Sequence, residues 1–173
     1  TCRKIFLFIQ NLVAGLKNLN AETCFILSTE AAAAADCCAR VVSSRGGTCD
    51  FSSVAYTFLS EAFLSYESGI TDSKMQVSTI TTMIGTLLTC KSFNMSDYET
   101  LITKVTQYAA RLLKKNDQCK MVMLCSHLFY TYDDGENSYK NSQRALECLQ
   151  RSLKVADMCV SSSPGDLQLF VDI

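Results

Sequence analysis

Phe51-Ser52-Ser53-Val54-Ala55-Tyr56-Thr57-Phe58-Leu59-Ser60-Glu61-Ala62-Phe63-Leu64-Ser65-Tyr66 is the stretch on which the fold turns. Phe51, Val54, Ala55, Phe58, Leu59, Ala62 and Tyr66 recur at alternating spacings of three and four. That period puts them on one stripe of an amphipathic helix. Gly69 follows where a left-handed residue is expected to end the helix.

The same period extends in both directions. Upstream, a first helix is expected from about Cys2 to Asn18, with Ile5, Phe8, Ile9, Leu12, Val13 and Leu16 on its stripe. Asn20 is placed to cap a second, which runs through the alanine run to Ala35 and toward Val42. The alanines favour the helix and suit a tight crossing with a neighbour, and Gly46-Gly47 breaks the pattern. Downstream, Thr71 or Asp72 opens a fourth helix carrying Met75, Thr79, Met83, Leu87 and Leu88. Ser96-Asp97-Tyr98-Glu99 has the spacing of a capping box for a fifth, with Leu101, Ile102, Val105, Tyr108, Ala109, Leu112 and Leu113 inward. Lys114 and Lys115 are expected at its C-terminal end, where positive charge suits the helix dipole.

A sixth helix begins at Asn116 or Asp117 and carries Met121, Leu124, Cys125, Leu128 and Phe129. Asp133 to Asn137 reads as a solvated turn, without the ligand spacing or terminal Glu of a calcium loop. The seventh helix has Ala145, Leu146, Leu149, Leu153, Ala156 and Val160 on its stripe. Ser163 before Pro164 caps an eighth. Taken in pairs, the helices start units near residues 2, 50, 96 and 138, a period of about 42–48 residues that approaches that of HEAT-type repeats. The expected architecture is all-α: about eight antiparallel helices in stacked pairs, a single HEAT-like α-solenoid segment over residues 1–173. Each pair buries its stripe against the next, giving one continuous core.

Composition supports a globular chain. Apolar residues make up 48% of the 173 and charged residues 19%. Sixteen Lys and Arg against seventeen Asp and Glu leave no basic excess, which argues against nucleic acid. The ten cysteines show no Cys-x-x-Cys pair and fall mostly on apolar helix positions, as reduced core thiols of a cytosolic protein do. Against that background the sequon Asn94-Met95-Ser96 carries no weight. Arg3-Lys4 before Ile5 to Ile9 imitates a signal peptide, but Gln10 and Asn11 interrupt the run. No segment reaches the apolar length of a membrane span; the longest uncharged run, Met75 to Cys90, is rich in Thr. The absence of an initiator Met and an apolar C-terminal stretch suggest a piece of a longer protein.

Little in the chain suits catalysis. His127 is the one histidine, and neither Cys125 nor Ser126 faces it along a helix. There is no Glu-x-x-His pair, phosphate loop or dinucleotide turn, so no metal and no cofactor are expected. The six basic and three acidic side chains from Lys91 to Lys120 read by default as a solvated face. The leading expectation is a non-enzymatic scaffold. An all-α enzyme or small-ligand carrier is the competing class.

Four ordered stretches resemble the vacuolar protein sorting-associated protein 35 family, the large solenoid subunit of retromer. They are Val54 to Phe63, continuing through Tyr66-Glu67 and Ile70 to Lys74; Leu112 to Gln118; Glu147-Cys148-Leu149 through Leu153 to Ala156; and Leu167 to Phe170. The resemblance covers essentially the whole chain and falls in the family's C-terminal half. It implies a HEAT-like solenoid, cytoplasmic and peripheral on endosomal membranes, that helps retrieve cargo toward the Golgi or plasma membrane. It also implies a partner subunit with a metallophosphoesterase fold, with other retromer subunits held through regions outside these residues. The family's Pro-Arg-Leu-Tyr-Leu motif for its arrestin-like partner is absent here. The double glycine and the residues around Cys37 to Thr48 mark a distant relative.

Arg111, Lys114, Lys115 and Asp117 match the family and cluster at the turn between the fifth and sixth helices, which makes them the candidate partner-binding residues. Solubility and capping are the plain alternative for them. A generic HEAT-type adaptor in nuclear transport or a vesicle coat is the alternative function.

Overall fold

The computed structural model describes residues 2–16, 19–47, 50–131 and 139–173. Its elements are α1 (Cys2–Leu16), α2 (Ala21–Ser44), α3 (Ser52–Gly69), α4 (Ser73–Thr89), α5 (Met95–Ala110), α6 (Lys115–Phe129) and α7 (Ser142–Ser162). A 3-10 turn (Pro164–Leu167) and α8 (Gln168–Asp172) follow. The fold is all-α, built of packed helix pairs in the α-solenoid class. Among the described residues the only β feature is an isolated bridge between Tyr130 and Lys140. No described helix is long and apolar enough to cross a membrane. The expected turn at Asp133 to Asn137 lies outside the described residues, as do Thr48, Cys49, and the Lys17-Asn18 end of the first helix.

Two compact units form: Thr1–Met75 with Thr89–Tyr98, and Gln76–Leu88 with Glu99–Ile173. In the first, α2 packs most heavily on α3. Asn20 caps α2 as expected, its Oδ1 accepting the Thr23 N–H at 2.9 Å. Cys24, Ser28, Ala32, Ala35 and Ala39 are all buried, so α2 turns a face of small residues inward. Small side chains let a neighbouring backbone come close. Phe6 of α1 meets Phe51 edge-on at 5.9 Å and Phe58 at 6.1 Å between ring centroids. The expected stripe of α1 is largely wrong: Phe6 and Val13 are its buried residues, whereas Ile5, Phe8 and Leu12 are half exposed or more. A helix with apolar residues on several faces carries no local mark of the face that packs.

Glycines end α2 and α3 for different reasons. Gly46 has φ +71° and donates to Ser43 O, while Gly47 donates to Val42 O at 2.9 Å. These bonds satisfy the last carbonyls of α2 in a Schellman motif. Gly69, expected in a left-handed position, is instead the last residue of α3 with an ordinary φ. A Cβ there would meet the Ala21 Cβ at the start of α2.

In the second unit α6 packs most heavily on α7. Their crossing is narrow: Ser152 Oγ donates to Cys119 O at 2.8 Å, and both residues are fully buried. That spacing corrects the expected stripe of α7. Cys148, Ser152, Val155, Ala156 and Cys159 face inward, and Leu146 and Leu153 are displaced to the surface because the gap admits only small side chains. The capping box of α5 is also shifted. Asn94 Oδ1 accepts the Asp97 N–H at 2.8 Å, so the helix starts two residues before the expected Ser96 cap. Ser163 precedes Pro164 as anticipated, but the proline opens a 3-10 turn before α8.

Candidate partner-binding site

α5 ends at Ala110, and four residues separate it from the start of α6 at Lys115. Leu112 turns into the core, whereas Leu113, expected beside it, is 86% exposed. Arg111, Lys114 and Lys115 are exposed around it, and Asp117 is half-buried in the first turn of α6. The four sequence candidates thus share one corner. Lys114 and Lys115 do not sit at the end of α5 as expected. Lys114 is the N-cap of α6, extended at φ −78° and ψ 123° with no side-chain capping bond, and Lys115 is the first helical residue. Positive charge there opposes the helix dipole, while Asp117 complements it. Capping therefore does not account for the lysines.

The corner is held firmly. Lys115 Nζ donates to Gln118 Oε1 at 3.1 Å, and the Gln118 amide donates back to Ala110 O. Asn116 Nδ2 donates to Asp166 Oδ1 at 2.8 Å, tying the corner to the 3-10 turn. One turn on, Lys120 pairs with Asp172 at 3.2 Å. The hydrogen bond from Gln168, and then Lys120, hold the Asp172 carboxyl below the usual carboxylate range. Neither Lys114, Lys115 nor Arg111 has a carboxylate partner among the described residues.

Other chemistry-bearing groups lie elsewhere. His127 is exposed on α6, and the Cys125 thiol, buried on another face of the same helix, is pushed up to about 12 by desolvation. No group of three metal-ligating side chains occurs among the described residues.

A sequence profile described as vacuolar protein sorting-associated protein 35 matches residues 1–173. The chain belongs to the vacuolar protein sorting-associated protein 35 family. It is 37% identical to vacuolar protein sorting-associated protein 35A of Arabidopsis thaliana over 180 residues, which spans 100% of this chain and 21% of that protein. It is 45% identical to vacuolar protein sorting-associated protein 35 of Schizosaccharomyces pombe (strain 972 / ATCC 24843) over 121 residues, 69% of this chain and 14% of the relative. Vacuolar protein sorting-associated protein 35B of Arabidopsis thaliana is 43% identical over 131 residues, covering 72% of this chain and 16% of that protein. The chain therefore spans about a fifth or less of the relatives it matches.

One residue of this vacuolar protein sorting-associated protein 35 family member escaped sequence reasoning altogether. Asp36, inside the alanine-rich helix, is 1% exposed. Its Oδ1 accepts the Lys91 and Ser92 N–H groups, each at 2.8 Å, and its Oδ2 takes the Arg40 Nε at 2.9 Å. A carboxylate four residues before an Arg reads in sequence as a surface helix pair. Only the folded chain supplies its two distant backbone donors.

Proposed function

We propose that the chain is a segment of a retromer scaffold subunit. It is a non-enzymatic helical stack that serves retrieval of membrane cargo from endosomes, and it is cytoplasmic and peripheral on the endosomal membrane. The family match along all of residues 1–173 carries this reading. Its partner is the metallophosphoesterase-fold subunit of retromer, other subunits being held by regions outside these residues. Residues 1–173 act as one solenoid segment, for which a single calorimetric unfolding transition is expected.

The α5–α6 corner is the proposed contact. Arg111, Lys114 and Lys115 carry charge with no carboxylate partner among the described residues, and two of the three sit against the helix dipole. An anionic patch on a partner would relieve that cost. Leu113, 86% exposed, adds an apolar contact of the kind that fills a partner's pocket.

Calorimetric titration of the metallophosphoesterase-fold subunit into the chain tests both statements. Binding is expected, and Lys114→Glu with Lys115→Glu is expected to weaken it by about tenfold or more. Binding unchanged by the reversal would remove the corner. A folded chain that does not bind would remove the partner and leave a HEAT-type adaptor in nuclear transport or a vesicle coat.

A further inference from the structure

Pro164 is the single proline of the chain, so Ser163-Pro164 is its one Ser-Pro dipeptide. Ser163 is exposed, as are Ser161 and Ser162 before it. Its backbone is extended, at φ −147° and ψ 104°, which a following proline favours. The Ser162 hydroxyl is occupied, donating to Met158 O at 3.0 Å, whereas the Ser163 hydroxyl makes no capping bond. Gly165 presents no Cβ to crowd it; one built there would stand 3.9 Å from the Ser163 Oγ.

The segment is also able to open. In the turn after Ser163 the Asp166 N–H donates to Ser163 O at 3.0 Å, a bond of the 3-10 type. Such bonds have poorer geometry than those of an α-helix, so this junction yields to an enzyme more readily than α7 does.

Packing of α6 on α7 brings cations to the same place. The two helices run antiparallel: Cys119 meets Ser152, and further along α6 the Phe129 ring centre lies 4.8 Å from the Arg144 guanidinium carbon. Cys119 and Cys159 belong to one buried cluster. Lys115 is one turn back along α6 from Cys119, and Ser163, whose N–H donates to Cys159 O at 2.8 Å, is one turn on from Cys159. In antiparallel helices these steps lead the same way, so Lys115 and Ser163 reach one end of the crossing. The Cys159 thiol registers those surroundings: desolvation, the Cys119 thiol and the Asp166 carboxylate raise it, and Lys115 lowers it. Asp166 is the anion of this end, and it already accepts from Asn116 Nδ2. Lys115 gives one donor to Gln118, and an ammonium has three.

We propose that Ser163 is the phosphoacceptor of a proline-directed protein kinase, and that Lys115 receives the phosphate. The hydroxyl oxygen attacks the γ-phosphorus of ATP and its proton passes to the kinase's base. The bond from that phosphorus to the β,γ-bridging oxygen breaks, and ADP leaves. A phosphoserine carries about −2 charges and three strong acceptor oxygens, enough to cancel most of the charge of Arg111, Lys114 and Lys115. Phosphorylation thereby withdraws the α5–α6 corner from an anionic partner, a consequence that rests on the corner being the partner contact.

The test uses the chain alone, so its failure is distinct from failure of the retromer reading. A purified cyclin-dependent kinase and a mitogen-activated kinase, both proline-directed, are each incubated with the chain and magnesium ATP, and mass spectrometry locates the product. One phosphoryl group at Ser163 is expected, with none in Ser163→Ala. Pro164→Ala should slow incorporation by about tenfold or more, since the kinase loses a pocket contact. Circular dichroism checks that the variants are folded. A phosphorus NMR titration of the phosphorylated chain then reads the second phosphate pKa, about 6 when unperturbed. Lys115→Gln is expected to raise it by about half a pH unit or more, because a nearby cation favours the dianion. No incorporation by kinases that do phosphorylate a Ser-Pro peptide would overturn the proposal. Equal incorporation in Ser163→Ala or Pro164→Ala, or a phosphate pKa indifferent to Lys115→Gln, would do the same.

Discussion

Gly69 stands so close to Ala21 that a Cβ built on it would collide with the Ala21 Cβ. The last turn of α3 therefore meets the first turn of α2 with no room for a methyl group. Gly69→Ala should destabilise the chain by about 1–3 kcal/mol, since overpacking forces a backbone shift. Gly85→Ala is the control: inside α4, with nothing within 4 Å of its Cβ position, it should stabilise by about 0.5–1 kcal/mol. Urea denaturation of both variants checks the opposite signs.

Asp36→Ala strips acceptors from two backbone N–H groups and from Arg40. Losing charge-assisted bonds at a buried site should cost about 2–4 kcal/mol in the same assay. Arg40 is 55% exposed at its side chain, so Arg40→Ala should cost less than about 1 kcal/mol. A larger loss from Arg40→Ala than from Asp36→Ala would show that the ion pair, not the backbone anchoring, matters.

Gly46→Ala should lose about 1–2 kcal/mol, because at φ +71° an added Cβ crowds its own carbonyl. Thermal unfolding is the check. Gly15→Ala, inside α1 with open space at its Cβ position, should raise the melting temperature.

Ser152→Ala should cost about 0.5–1.5 kcal/mol, as Cys119 O loses the side-chain donor that bridges the α6–α7 crossing. Ser152→Leu should be worse than Ser152→Ala despite greater hydrophobicity, because the site is fully buried and closely packed. Equal losses would mean that the crossing can widen.

Stability should fall at alkaline pH. Burial raises the Cys90 and Cys125 thiols from 9.0 to about 12, so both states are protonated below 9.0. Between 9.0 and about 12 the unfolded chain loses these protons and the folded one retains them, so stability is lost as pH rises through that window. The slope should reach at most about 1.4 kcal/mol per pH unit for each thiol, and Cys90→Ala or Cys125→Ala should reduce it. In the folded chain at pH 8, iodoacetamide should label exposed Cys2 and Cys37 well before Cys90 or Cys125.

The candidate corner was legible in part. Arg111, Lys114, Lys115 and Asp117 stood out at an inter-helix turn, and the structure keeps them there. Which helix owned the lysines was not legible, because Leu112-Leu113 continues the apolar period of α5 past its true end at Ala110. The Gln118 amide bond to Ala110 O and the Asn116 bond to Asp166 define the corner, and both partners are distant in sequence or on the backbone.

By itself the sequence determined that the fold is all-α, where most helices begin, and which residues of α3 and α5 face inward. Those are local matters of period, capping and propensity. Tertiary structure decided the rest. It chose the buried face of α1 and α7, turned Gly69 from a cap into a contact, made Asp36 an anchor, and set Arg144 over Phe129. Each depends on the distance between segments far apart in the chain. A 3.6-residue period records that a face is apolar, and only packing decides how close its neighbour comes.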